Sequence, residues 1–304
     1  MLHRFSSEDR LIFISAMMSL AFAVAGTAIG LWLQSSIIIF DGLYSFISLG
    51  LSLISLVAGR YVRRINEARY PFGKSIIQPI TLVFKYLAIF GLCVLSIVEG
   101  VETLASGGRF LDFNQAFVYS AVAAVLCLFA FRFIRKRTQP EHSDLLIAEQ
   151  REWLLDTGLS VMLTLGFALA IIAMWLGFER FALYIDPLML VLAALFFIRI
   201  PIRGMLEAGK EVLGLKVADD LELDVRIHVE DIVLRYAFKD YYLRLQKVGS
   251  TVYLEIDFIV EPSQSNLSIH QQDDIRAELY RDIRVFPYRW WYTVSFTADE
   301  QWAR

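Results

Sequence analysis

The sequence predicts a six-helix transmembrane bundle (all-α) followed by a small α+β domain outside the bilayer. Three observations carry that expectation. The chain of 304 residues is 57% hydrophobic, above the roughly 45–50% apolar content of soluble globular chains, and its mean hydropathy is +0.52. Six apolar segments are each long enough to cross a bilayer. Beyond Arg203 the hydropathy falls and stays low. The expected division is a membrane domain over residues 1–210 and a second domain over 211–304.

The predicted spans cover about 11–33, 36–59, 77–104, 114–134, 147–176 and 183–203. Gln34-Ser35-Ser36 makes a tight turn between the first two. A basic loop from Arg60 to Lys74 follows, then a short loop containing Gly107-Gly108, a second basic stretch from Arg132 to Ser143, and a short link from Gly177 to Ala182. Arg60, Arg63, Arg64 and Arg69 share one loop, and Arg132, Arg135, Lys136 and Arg137 another. Arg199, Arg203 and Lys210 follow the last span, whereas the alternate loops hold only Arg109 and Arg180. By the positive-inside rule both termini are cytoplasmic, which suits an even number of spans. Glu8 and Asp9 and the length of the first apolar stretch argue against a cleavable signal peptide. A multi-pass protein of a bacterial inner (plasma) membrane is the expected setting.

From about Val212 the pattern changes. Leu221, Val225, Val229, Ile232 and Val233 fall on one face of a helix over Asp219–Ala237. Two strands, Tyr241–Val248 and Thr251–Val260, meet at Gly249-Ser250. In the second, Val252, Leu254, Ile256, Phe258 and Val260 alternate onto one face. A second amphipathic helix runs from Asn266 to Val285 with Ser268 as N-cap, and Trp291–Thr297 forms a last strand. The order α-β-β-α-β suits one antiparallel sheet with helices on one face.

Composition narrows the function. A net charge of −3 argues against nucleic acid as a partner. Cys93 and Cys127 lie in apolar stretches, with neither zinc-finger spacing nor a disulfide framework. The sequence contains no nucleophile–base signature, Gly-rich phosphate loop or His-Glu-x-x-His motif, so an enzyme is not expected.

Charges at membrane depth are costly and mark function. Asp41 lies near the start of span two, with Ser45 four residues on. Asp156 lies within span five, with Glu152 one turn before it. Residues four apart share a helix face, so Asp41, Ser45, Glu152 and Asp156 on two packed helices would present a compact all-oxygen site to one ion. Lys85 in span three either extends to the interface or neutralises a site carboxylate. Glu99 and Glu102 lie toward the other end of that span.

These features together resemble the cation diffusion facilitator family over nearly the whole chain. The matching segments are Asp41-Gly-Leu-Tyr-Ser45, Glu152-Trp-Leu-Leu-Asp156, Tyr70-Pro-Phe-Gly73, Asp186-Pro187, and Leu206-Glu-Ala208 with Leu213. The resemblance implies six spans, a C-terminal ferredoxin-like domain that dimerises, and export of a divalent cation by proton antiport and alternating access. The family signature has aspartate where Ser45 stands and histidine where Glu152 stands. Tyr70 and Lys74 replace loop histidines that bind a second metal in some members. Asp273 stands where a metal-ligating histidine is often found, and the last strand carries none. His228 and His270 read as ordinary surface histidines.

Three carboxylates around a dication leave a net charge near −1, and protons must take the metal's place when it leaves. With oxygen ligands alone, Mn²⁺ ranks first, then Fe²⁺ and Mg²⁺, with Zn²⁺ lower. The expected partners are thus a divalent cation, with protons as counter-ion and no resident cofactor, the lipid bilayer, and a second copy of the chain. The loss of two signature residues leaves a sensor or scaffold on a degenerate transporter fold as the alternative.

Overall fold

The computed structural model describes residues 7–62, 70, 73–137, 144–215, 219–261, 267–286 and 288–303. Arg63, Arg64 and Arg69 of the first basic loop, and Pro71 and Phe72 of the tyrosine–glycine segment, lie outside them. The helices are α1 (Ser7–Leu33), α2 (Ser36–Val62), α3 (Ile77–Ala105), α4 (Phe113–Arg137), α5 (Asp144–Trp175), α6 (Glu179–Ala182), α7 (Ile185–Phe197) and α8 (Arg199–Val212). Six of the resulting segments are long and apolar enough to cross a membrane, the sixth running from Glu179 to Val212. It is interrupted at Ile198. Pro201 explains the break: it has no N–H for the Phe197 carbonyl and its ring crowds that oxygen.

By chain contacts the protein divides into two compact units. One comprises residues 1–54 and 85–203; the other comprises 55–84 and 204–304. In the first unit, Phe40, Ile89, Leu163, Phe167, Leu190 and Phe197 are central to a buried apolar cluster. Large apolar side chains such as Phe13, Trp32, Leu95, Val125 and Leu165 face outward, the surface a bilayer would cover.

A close approach of α1 to α2 in this unit depends on glycine. Gly26 and Gly30 of α1 are four apart and lie against α2. A methyl on Gly30 would sit 2.7 Å from the Ile39 backbone nitrogen, and one on Gly42 would sit 2.4 Å from that of Thr27. Only glycine permits such backbone proximity, which is how small-xxx-small sequences join membrane helices. The crossing places Gly42 against α1, one residue from the buried Asp41.

In the second unit, α9 (Asp219–Tyr236), β1 (Asp240–Val248), β2 (Thr251–Ile259), α10 (Ile269–Ile283) and β3 (Arg289–Thr297) make a three-stranded sheet with order β1-β2-β3. Val252, Leu254, Ile256, Phe258 and Val260 are all buried, in one core with Val225, Val229, Ile232, Ile275, Leu279 and Ile283 of the helices. Ser268 caps α10: its hydroxyl accepts from Gln271 N at 3.3 Å while Gln271 Oε1 accepts from Ser268 N at 2.9 Å. The sheet is mixed and not antiparallel as the element order suggested. β1 and β2 run antiparallel, but β2 and β3 run parallel. A helix separates β2 from β3, and such a crossover returns the chain in the same direction.

Candidate functional site

α2 and α5 carry most of the polar side chains that line one interior cavity of the first unit. Ser45, Ser48 and Ser52 lie on α2 at spacings of three and four, so they share one face. With Ser19, Tyr44, Leu49, Glu152, Leu155 and Asp156 they line a cavity of about 30 Å³. That is room for about two waters or a largely dehydrated ion. Ser48 Oγ donates to Glu152 Oε1 at 3.0 Å, and this fixes the carboxylate at the wall.

Three of the four expected residues, Ser45, Glu152 and Asp156, therefore meet at one cavity. Asp41 is placed differently. It is 1% exposed, stands one turn before Ser45, and is not part of that wall. Neither of its carboxylate oxygens has a hydrogen-bond partner, nor has Ser45 Oγ. Among the described residues, no three side chains of His, Cys, Asp and Glu converge tightly enough to hold a metal ion.

Two hydroxyls near Asp41 escaped the sequence reading. Thr27 Oγ1 and Tyr119 Oη are buried and also without partners. The Thr27 hydroxyl would lie 2.6 Å from a methyl on Gly42, and the Tyr119 hydroxyl 3.0 Å from one on Gly26. Orphaned buried oxygens are uncommon and call for an ion, a water or a moving proton. The available signals were the Gly26-x-x-x-Gly30 spacing beside Thr27 and a tyrosine in the first third of span four.

Asp186 has another role. Its carboxylate accepts from Ser35 Oγ, and from Ser36 N at 3.1 Å, so it caps the N-terminus of α2, where free N–H groups and the helix dipole favour an anion. Ser36 Oγ also donates to Glu99 Oε1 at 2.6 Å, and Arg109 reaches both Ser36 and Glu99. Glu99 is half exposed, so this ion pair adds little.

In the second unit, the Lys74 ammonium lies over the rings of Tyr61 and Tyr70 at 4.1 and 4.7 Å. Lys74 is 6% exposed; an ammonium thus occupies the position for which the resemblance implies a second metal in some relatives. Asp273 pairs with Arg276 at 2.8 Å, and His270 is exposed. The β1–β2 turn is tied to the start of α3 and the end of α8. Ser75 Oγ and Thr251 Oγ1 are 2.7 Å apart, Ser250 N donates to Gln78 Oε1 at 2.7 Å, and Gly249 N donates to Glu211 Oε2 at 2.8 Å.

Six bilayer-length helices define a multi-pass membrane protein, with a cavity lined by carboxylates and hydroxyls between α1, α2 and α5. A family model described as the cation efflux transmembrane domain matches residues 12–212. The chain belongs to the cation efflux family, a family of transporters. No curated protein matches it significantly.

Proposed function

We propose that this protein is a secondary active transporter that exports a divalent cation by proton antiport, through alternating access. The observation that carries the reading is the cavity, whose polar wall is hydroxyl and carboxylate alone: Ser19, Tyr44, Ser45, Ser48, Ser52, Glu152 and Asp156. The proposed cation ligands are Asp41, Ser45, Glu152 and Asp156. Asp41 has both oxygens unpartnered, and joins the set when a cation enters. Hard oxygen ligands favour Mn²⁺, then Fe²⁺ and Mg²⁺, over Zn²⁺, for which imidazole and thiolate are the better donors. Metal and protons compete for the same carboxylates, which couples their movements. The basic loops put both termini in the cytoplasm, with residues 1–210 as transport domain and 211–304 as a cytoplasmic ferredoxin-like domain.

Purified protein in liposomes with an imposed pH gradient tests this metal by metal. Mn²⁺ flux should exceed Zn²⁺ flux and collapse when the gradient is discharged. A protein that binds no divalent cation and moves none would instead be a sensor or scaffold.

The protein is proposed to work as a homodimer held through its soluble domain. Trp291 is 45% exposed and packs beside Tyr253 at 6.3 Å, whereas Trp290 packs against the domain core. An aromatic contact through Trp291 needs no metal. The dimer measured by light scattering in detergent should therefore persist in excess chelator; dissociation on chelation would reassign the contact to a metal site.

A further inference from the structure

Lys85 and Ser52 lie outside the proposed ligand set, yet they bear on the same cavity. Ser52 is in its wall, one helical turn along α2 from Ser48. Ser48 holds Glu152, and Lys85 Nζ, reaching in from α3, donates to Ser52 Oγ at 3.2 Å. An ammonium and a carboxylate are thus bound to successive rungs of one serine face, about 6 Å apart along the axis. A lysine that only extended to the membrane surface would place its ammonium among headgroups and water. Lys85 is half-buried instead and bonded to a hydroxyl of the cavity wall.

We propose that Lys85 tunes how tightly the cavity holds its cargo: its ammonium is a tethered cation that offsets part of the carboxylates' charge. This inference rests on the transporter reading above. Asp41, Glu152 and Asp156 contribute three negative charges when ionised, and the ammonium offsets one. Lysine suits the task because an ammonium has donors only and cannot become a ligand, and because its flexible stem lets the charge withdraw or approach. Coulomb repulsion from one fixed charge acts on a dication twice as strongly as on a monovalent ion. Lys85 therefore loosens the hold on the divalent cargo and speeds its release, a task the ligands themselves cannot perform.

The test uses the full-length protein in proteoliposomes, with Mn²⁺ as probe and initial rates measured over a range of concentrations. Lys85→Gln should lower the KM for Mn²⁺ about tenfold and lower the maximal rate by a similar factor, the direction expected when a repelling unit charge is removed. Lys85→Arg keeps the charge and should stay within about twofold of the wild type in both quantities. Ser52→Ala releases the ammonium from the wall and should shift KM in the same direction as Lys85→Gln, by less. If Lys85→Gln moves no Mn²⁺, equilibrium binding to the detergent-purified variant decides: a tighter Kd supports the proposal and an unchanged one overturns it. An unchanged KM in an active Lys85→Gln protein overturns it too, as does a Lys85→Arg protein that behaves like Lys85→Gln. Absence of flux and binding of Mn²⁺, Fe²⁺, Mg²⁺ and Zn²⁺ alike in the wild type would overturn the transporter reading itself, a result distinct from all of these.

Discussion

Asp41→Ala and Asp156→Ala should each abolish proton-driven divalent-cation flux while the protein still inserts and purifies normally. Asp41 is buried with both oxygens unpartnered, and Asp156 lines the cavity. Removing one partner of a buried charge interaction costs roughly 3–5 kcal/mol, so transport at a fixed cation concentration should drop at least about a hundredfold. Folding should not suffer in the same way. A buried carboxylate without a hydrogen bond destabilises the empty protein, and alanine at position 41 removes that cost. Mn²⁺ flux in proteoliposomes, together with thermal stability in detergent, separates the two effects. Wild-type flux from either variant would remove that residue from the site.

Glu152→His, combined with Ser45→Asp, should move selectivity toward Zn²⁺ by about tenfold or more, because imidazole is the better zinc ligand. The geometry favours the exchange. Ser48 Oγ already bonds the side chain at position 152, and a histidine there keeps a hydroxyl near its ring, the kind of partner that orients metal-ligating imidazoles. Ser45 stands in the same wall, so an aspartate at 45 adds a carboxylate without new backbone placement. Competition between Zn²⁺ and Mn²⁺ uptake by the double variant gives the answer. An unchanged metal ranking would place selectivity outside positions 45 and 152.

Much of the architecture was legible in the sequence because each signal was local. Bilayer-length apolar runs marked the first five spans to within a few residues, while the sixth runs on to Val212, past the expected end at Arg203; the alternation from Val252 to Val260 marked the buried face of β2. Ser268 announced the cap of α10. What was missed depends on partners distant in the chain. No local pattern distinguishes β3 as parallel; the helix between β2 and β3 should have suggested it. Ser48 and Ser52 repeat the spacing that drew attention to Ser45 and could have been read. The unpartnered hydroxyls of Thr27 and Tyr119 become visible only once α1 and α4 are placed near Asp41. Asp41 itself illustrates the limit of helical periodicity. Four-residue spacing aligns it with Ser45, but it cannot say that a cavity ends between them.

The cap that Asp186 places on α2 has a mechanical consequence. Ser35 and Ser36 at that end are bound to a carboxylate 1% exposed on α7. Hydrogen bonds to charged groups are worth about 1.5–3 kcal/mol each. Any movement that parts α2 from α7 there must break two of them and leave a desolvated anion behind. Further along α2, Ser48 and Ser52 also bond charged groups, Glu152 and Lys85, but these contacts are only part-buried and line a cavity, so water can replace them at less cost. The helix is therefore unequally anchored, and the same thermal energy swings its serine-lined stretch further than its capped end.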